Sequence, residues 1–239
     1  MTNRTADISQ RQAAKIAGFG YLIVFILATF ANFFAFERLI VSGDAVKTIN
    51  NIVDNESLFR FGIASWLIVL TVDVIVAWAL YVFLKPVNRN LSLLMAWFRL
   101  VFVAIFGIGL VNLLSLLHLF SGADYLAVFE PSQLHAQAML FLNAHEYGIH
   151  ISFVFFGMHI FVLGYLIFKS NYIPRILGAL LIVASLGYFI DSFGNFVSSN
   201  YADSEIAFIL FLALPAVIAE FSLTLWLLFK GGKTNPMKF

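Results

Sequence analysis

Six long apolar runs dominate the sequence and limit what the chain can fold into. Each run is close to the length of about 20 mostly apolar residues that an α-helix needs to cross the hydrocarbon core of a bilayer. The runs cover approximately residues 16–36, 61–84, 91–117, 145–168, 176–197 and 206–229. This pattern predicts an all-α fold: an integral membrane helical bundle of six transmembrane helices, forming a single domain over residues 1–239.

The composition excludes several other classes of protein. Of the 239 residues, 62% are hydrophobic and 11% are charged, whereas soluble domains carry about 25% charged residues. The net charge of +1 excludes a nucleic-acid binder that relies on a basic face, and the lack of cysteine excludes a disulfide-rich secreted domain. We therefore expect the lipid bilayer as the main partner, with no nucleic-acid partner and no cofactor. The oligomeric state is left open.

The basic residues between the runs indicate the orientation of the chain. If the N-terminus is cytoplasmic, ten Lys and Arg residues lie inside and three lie outside. The ten are Arg4, Arg11, Lys15, Lys85, Arg89, Lys169, Arg175, Lys230, Lys233 and Lys238. The three are Arg38, Lys47 and Arg60. The positive-inside rule then predicts that both termini are cytoplasmic, which requires an even number of spans.

The first outer loop has a helical pattern of its own. In the segment DAVKTINNIVDNESLF, Val46, Ile49, Ile52 and Val53 recur at helical spacing, and Asp44 is suited to cap the first turn. We predict a short amphipathic helix that lies on the outer interface of the membrane.

The start of the fourth span has two interpretations. Glu130-Pro131-Ser132 is typical of a helix N-terminus, with Pro131 in the first turn. The residues from there to Asn143 form either an amphipathic helix that approaches the membrane or an extension of the span. Within the span, Gly157 and Gly164 are seven apart and predict a face of small residues for close helix packing.

Five ionisable residues fall deep within the predicted spans: Asp191, described below, and four others that lie at one level. An ionisable group at the bilayer centre costs about 2.5–3.5 kcal/mol on insertion scales, so each one suggests a function. The four are Asp73, Arg99, His159 and Glu220, each on a different run. Counted from the cytoplasmic ends, all lie at about 14–18 Å, and Arg99 could form fork-like hydrogen bonds with both carboxylates. We expect a mid-membrane polar cluster, which either joins the helices as a salt-bridge network or lines a polar cavity.

A second set of polar residues is predicted in the outer half of the membrane. Asp191 lies at about 24 Å from the cytoplasmic end of the fifth run, and Asn195 follows one helical turn later. Asn32 of the first run has a similar height. With His145 they form a candidate outer-half group.

The segment HEYGIH does not have the spacing of a zinc site. His145 and His150 are five residues apart, which rotates them by about 140° around a helix, whereas two zinc ligands on one helix are four apart. Glu146 and His150 share a face, but two ligands do not make a metal site. We therefore predict no metal site, although a partner from another helix, such as Asp191, would change that.

The ordered motifs of the chain resemble a bacterial membrane family known as domain of unknown function number four-three-eight-six, from about Ala14 to Gly231. The motifs are AKIAGFGYL, SLFRFGIAS, LKPVNRNLSLL, FFGMHIFVLGYLIFKS, IPRILGALLI and GYFIDSFGNF. The positions similar to family members include Arg99, His145, Gly148, His159, Pro174, Asp191 and Glu220. The resemblance implies a polytopic inner-membrane protein and no particular activity.

Three classes of function fit these observations. The first is a protein that binds or moves a small solute, a lipid headgroup or a proton at the mid-membrane cluster. The second is an intramembrane enzyme, metal-dependent or not, that acts on a lipid-like substrate. The third is a non-catalytic scaffold or partner protein in which the charges only hold helices together. Transport or lipid handling is favoured over an enzyme because no catalytic spacing is recognisable.

Overall fold

The computed structural model describes residues 8–41, 43–197 and 214–231, and within these ranges the chain is helical with connecting turns and no strand. The elements in chain order are α1 (Gln10–Thr29), a π-helical segment (Phe30–Phe36), α2 (Glu37–Leu39), α3 (Ala45–Asp54), α4 (Glu56–Leu84), α5 (Arg89–Leu119), a 3₁₀ turn (Asp124–Leu126), α6 (Pro131–Lys169), α7 (Arg175–Val197) and α8 (Leu214–Phe229). The expected all-α fold is confirmed for this part of the chain.

Five helical segments in the described ranges are long and apolar enough to cross a membrane. They are Gln10–Leu39, Glu56–Leu84, Arg89–Leu119, Pro131–Lys169 and Arg175–Val197. The chain is therefore a multi-pass membrane protein. Of the predicted sixth span, residues 206–213 lie outside the described residues, and α8 alone is a 16-residue apolar helix. The count of six spans and the cytoplasmic position of both termini stay predictions.

Polar side chains fix the first turns of the long helices. At the start of α1, the backbone N–H of Gln12 donates to Ser9 Oγ (3.2 Å) and the backbone N–H of Ser9 donates to Gln12 Oε1 (2.9 Å), which is a capping box. At the start of α6, the backbone N–H of Glu130 donates to Gln133 Oε1 (2.9 Å). Because α6 continues without a break from Pro131 to Lys169, the residues before Asn143 belong to the same helix as the predicted fourth span. The residue at which this helix enters the membrane stays a prediction.

The short helix predicted after the first span is confirmed as α3. Asp44 is its N-cap, and Asp44 Oδ1 accepts a hydrogen bond of 2.9 Å from the backbone N–H of Lys47. Ile49 and Ile52 are buried, whereas Val53 is half exposed. The helix is therefore amphipathic, as expected, and its place at an outer membrane interface stays a prediction.

The chain divides into two compact units. Unit 1 consists of Met1–Leu22, Val72–Phe102 and Phe153–Phe239, and unit 2 of Ile23–Thr71 and Val103–Ser152. The boundaries fall inside α1, α4, α5 and α6, so each of these helices contributes to both units. The expected single domain stays a prediction.

The carbonyl of Phe83, near the end of α4, joins three segments of unit 1. Gln10 Nε2 and Tyr172 Oη each donate a hydrogen bond of 3.1 Å to this carbonyl. Burial raises the pKa of the Tyr172 phenol, which lies in the link between α6 and α7, so its hydroxyl stays a donor. These bonds hold the start of α1 and the α6–α7 link against the end of α4.

Helices α6 and α7 contact each other through their backbones in unit 1. A Cβ atom added to Gly178 would lie 2.6 Å from the Gly164 carbonyl oxygen and 2.6 Å from the backbone nitrogen of Phe168. A Cβ added to Gly164 would lie 2.8 Å from the Gly178 carbonyl oxygen. Small residues permit this distance between membrane helices, so the packing role predicted for Gly164 is the one observed.

Gly178→Ala should therefore destabilise the protein, because neither backbone can move away without separating the helices. We expect a loss of about 1–3 kcal/mol, measured as a lower midpoint of thermal unfolding in detergent. The matched control is Gly107→Ala, whose Cβ would meet only Leu70 Cδ1 at 3.7 Å, an ordinary contact. Equal midpoints for the two variants would contradict the close packing.

Candidate functional site

Arg99 is the centre of a buried polar network in unit 1. Its side chain comes from α5 and has no exposed surface. Nη2 donates to Asp73 Oδ1 on α4 at 2.6 Å, and Nη1 donates to Tyr21 Oη on α1 and to His159 Nε2 on α6, both at 2.9 Å. We call these four residues the Arg99 network. Three neighbouring helices thus each supply one partner for the guanidinium.

The partners fix the protonation of His159. Its Nδ1 lies 2.9 Å from the backbone carbonyl oxygen of Met95, which can only accept, so Nδ1 carries the hydrogen. Its Nε2 faces the guanidinium of Arg99, which can only donate, so Nε2 has a free lone pair. His159 is therefore a neutral imidazole with the hydrogen on Nδ1, and it accepts from Arg99 without adding charge to the network.

Aromatic rings cover the flat face of the guanidinium. Arg99 Cζ lies 4.8 Å from the centroid of the Tyr21 ring and 5.5 Å from that of Phe156. Cation–π contacts of this kind gain strength when water is excluded. With Asp73 1% exposed and His159 0% exposed, the charged atoms of the network lie away from the protein surface.

One donor of Arg99 is left over. Within the described part of the chain, Nε–H has no hydrogen-bond partner although it is buried. An unpaired buried donor costs about 1–3 kcal/mol. A network that served only to hold helices together would gain by satisfying it.

Tyr188 and Glu220 form a second polar pair in unit 1. Tyr188 Oη on α7 donates to Glu220 Oε1 on α8 at 2.6 Å, and both side chains are only partly buried. The ring of Phe156 contacts the Tyr188 ring at 5.0 Å between centroids, and it also lies over Arg99. Glu220 is within electrostatic range of both Arg99 and Asp73. The Tyr188–Glu220 pair is thus the more exposed neighbour of the sealed network.

The four residues predicted for the mid-membrane cluster therefore fall into two hydrogen-bonded groups. Asp73, Arg99 and His159 touch one another through Arg99. Glu220 does not complete a fork on Arg99, because its carboxylate accepts from Tyr188 instead. The place expected for the second carboxylate beside Arg99 is taken by Tyr21 and His159.

Two residues of the predicted outer-half group lie in unit 2. Asn32, in the π-helical segment, accepts a hydrogen bond of 3.1 Å from Trp66 Nε1. His145 Nδ1 lies 3.0 Å from the Gly109 carbonyl oxygen, and a Cβ on Gly109 would be only 3.4 Å from that nitrogen. Both side chains have local partners that are sufficient to explain their positions.

The other two residues of that group, Asp191 and Asn195, lie in unit 1 on α7. Asn195 Nδ2 donates to Asp191 Oδ1 at 3.2 Å and to the Asp191 carbonyl oxygen at 3.0 Å. That all four residues form one group stays a prediction. Among the residues the structure describes, no three His, Asp or Glu side chains come together in a way that could hold a metal ion.

Two tyrosines of the site were not among the predicted residues. Tyr21 is close to the start of the first predicted span, where tyrosines usually mark the membrane interface. Tyr188 is near the middle of the fifth span, where a hydroxyl needs a partner, and this position was the available signal.

Arg99→Met should destabilise the protein by about 3–5 kcal/mol, because it leaves the carboxylate of Asp73 buried without a counter-ion. The free energy of unfolding is measured by titrating the detergent-solubilised protein with a denaturing detergent. Arg60→Met is the matched control: Arg60 Nε and Glu56 Oε1 are also 2.6 Å apart, but both side chains are more than half exposed, so the loss should be about 0–1 kcal/mol. Similar losses for both variants would show that the Asp73–Arg99 pair is not buried.

His159 should give the nitrogen NMR pattern of the neutral Nδ1–H tautomer at neutral pH. In protein labelled with ¹⁵N-histidine, we expect one pyrrole-type and one pyridine-type ring nitrogen that both disappear in His159→Gln. A charged imidazolium, with two pyrrole-type nitrogens, would contradict the hydrogen bond from Arg99.

Comparisons with known proteins agree with the sequence resemblance. The family model described as Domain of unknown function (DUF4386) matches residues 16–231. An "Uncharacterized protein" of Archaeoglobus fulgidus is 35% identical over 177 residues, which cover 74% of this chain and 88% of that relative. No solved structure matches. Because the family model covers most of the chain, this protein belongs to the family described as Domain of unknown function (DUF4386).

Proposed function

We propose that the protein binds and releases a proton within the membrane at the Tyr188–Glu220 pair, beside the fixed charges of the Arg99 network. The observation that carries this proposal is a sealed ion pair next to a partly exposed carboxyl–phenol pair. Among the cargoes that the sequence suggests, a small solute, a lipid headgroup or a proton, only the proton fits this arrangement.

The burial of the Arg99 network supports a proton over larger cargoes. Arg99 and His159 are 0% exposed, so a solute or a lipid headgroup would need a large rearrangement to contact them. A proton needs only neighbouring groups that donate and accept hydrogen bonds. Tyr188 and Glu220 are such groups, and a hydrogen bond of 2.6 Å already joins them.

The charges of the site support Glu220 as the group that takes up the proton. Arg99 supplies one positive charge, and Asp73 and Glu220 supply two negative charges when both are ionised. An unbalanced charge at the bilayer centre costs about 2.5–3.5 kcal/mol on insertion scales. Asp73 is hydrogen-bonded directly to Arg99. A proton that neutralises the site is therefore best placed on Glu220, whose carboxyl shares a hydrogen bond with Tyr188 Oη.

Tyr188 and Glu220 each keep some exposed surface, whereas Arg99 and His159 have none, which supports the pair over the network as the group that exchanges a proton. Phe156 packs on the Tyr188 ring and on the guanidinium of Arg99, so the pair and the network are in contact through one side chain.

The proposed direction of transfer depends on the topology. We propose six spans with both termini in the cytoplasm of a protein in the inner (plasma) membrane, on the basis of the ten basic residues on one side against three on the other. In this topology the network lies near the bilayer midplane.

A structural role for the same residues is the second candidate. It is favoured by the absence of exposed surface on Arg99, because a sealed ion pair can simply fix three helices around α5. The two candidates differ in what they require of Glu220, which a purely structural Arg99 network does not need as a carboxyl.

Proton movement can be measured in proteoliposomes that contain a pH-sensitive dye and a potassium gradient. When valinomycin sets the membrane potential, we expect the parent protein to change the internal pH faster than protein-free liposomes do. Glu220→Gln should reduce the rate to that of protein-free liposomes, because an amide cannot release a proton.

The matched control is Glu146→Gln, which removes a carboxyl on α6 that faces His150 at 3.9 Å and is 65% exposed. This variant should keep the parent rate, and both variants should elute as folded protein. Equal rates for Glu220→Gln and the parent, or no movement by the folded parent, would contradict the proposal and favour the structural role.

A further inference from the structure

A cavity of about 360 Å³ lies in unit 2, and none of its lining residues belongs to the Arg99 network. Its apolar wall includes Ile52 of α3 together with Leu114 and Leu117 of α5. Its polar side includes Glu56 and Arg60 of α4. The lining of the cavity thus combines hydrocarbon side chains with an ion pair.

The position of the cavity along the helices indicates where it lies in a membrane. Glu56 is the first residue of α4, and Leu117 is two residues before the end of α5. Both helices are apolar enough to cross a bilayer, so their ends reach the level of the lipid headgroups. The amphipathic helix α3 borders the cavity at this level through Ile52.

We propose that this cavity binds a membrane phospholipid, with the phosphate at Arg60 and the first part of an acyl chain along Leu114 and Leu117. Ligand pockets have volumes of about 300–1,000 Å³, so this cavity holds a headgroup and the start of a chain while the rest of the lipid stays in the bilayer. The combination of a guanidinium and an apolar wall distinguishes a phospholipid from a free anion or a neutral lipid.

Arg60 has the donors that a phosphate requires. Its Nε is bound to Glu56 at 2.6 Å, which orients the side chain and leaves the two terminal nitrogens as the phosphate-binding edge. The side chain is 59% exposed, so a lipid can reach it without rearrangement of the fold. Guanidinium groups pair with phosphate through two parallel hydrogen bonds, which gives Arg an advantage over Lys at such a site.

The apolar wall supplies the second part of the recognition. Both Ile52, which is 1% exposed, and Leu114, which is 43% exposed, line the cavity. An acyl chain that covers Leu114 removes apolar surface from contact with water at the headgroup level.

Native mass spectrometry of the full chain in detergent tests the proposal with three probes: phosphatidylglycerol, diacylglycerol with the same chains, and inorganic phosphate. We expect one phosphatidylglycerol per chain, bound about tenfold more tightly than diacylglycerol, because hydrogen bonds to a charged group are lost in the neutral lipid. Arg60→Gln should weaken phosphatidylglycerol binding by about tenfold and leave diacylglycerol unchanged.

Two further variants distinguish the cavity from general surface charge. Arg38→Gln removes a cation that lies over the Phe34 ring at 5.7 Å and does not line the cavity, so it should bind like the parent. Leu117→Trp fills the cavity and should weaken both lipids. Equal losses for Arg60→Gln and Arg38→Gln, equal binding of the two lipids, or saturation by inorganic phosphate alone would each overturn the proposal.

Discussion

The guanidinium of Arg99 is the group on which the packing of unit 1 depends. Removing an ion from water costs several kcal/mol even after the protein relaxes, and only close, well-oriented partners recover that cost. Arg99 obtains them from α1, α4 and α6 at 2.6–2.9 Å. Because each partner reaches Arg99 from a different helix, the rotation of these helices about their axes is fixed at this level, and apolar contacts alone would not fix it.

The polar groups of unit 1 differ in how they can respond to their surroundings. Asp73, Arg99 and His159 are sealed and mutually satisfied, apart from the Nε–H of Arg99. Glu220 is partly exposed, and its carboxylate is held by a single phenol. A fixed charge pair beside a carboxyl with a single phenol partner is the arrangement on which the proposed proton binding rests. In the proposed function, the sealed part supplies a constant field and the exposed part supplies the exchangeable proton.

Much of the fold follows from short-range patterns in the sequence. The lengths of the apolar runs predict where the spans lie. Asp44 and Pro131 mark the starts of α3 and α6, because capping residues act within one helical turn. Equal depth also brings Asp73, Arg99 and His159 to one level. The contacts themselves depend on helix rotation, which no local pattern encodes. For this reason the sequence did not predict that Tyr21 occupies the place expected for Glu220 beside Arg99.

The outer-half group shows the same limit. Asn32, His145 and Asp191 were grouped by height, yet each bonds to a neighbour that height does not identify: a tryptophan, a glycine carbonyl and an asparagine one turn away. A polar side chain within a span bonds to whichever partner the rotation of its helix about the helix axis places nearest. Depth is therefore a guide to which groups can meet and not to which groups do.

The coupling energy between Asp73 and Arg99 most directly tests the claim that the packing of unit 1 depends on the buried guanidinium. It is measured by a double-mutant cycle of Asp73→Asn and Arg99→Met, with unfolding followed in detergent for the parent, both single variants and the double variant. A buried pair predicts that the double variant is more stable than Arg99→Met alone, because no charge is then stranded, with a coupling energy of about 2–3 kcal/mol. Losses that add within about 0.5 kcal/mol would contradict it, since independent sites behave in that way.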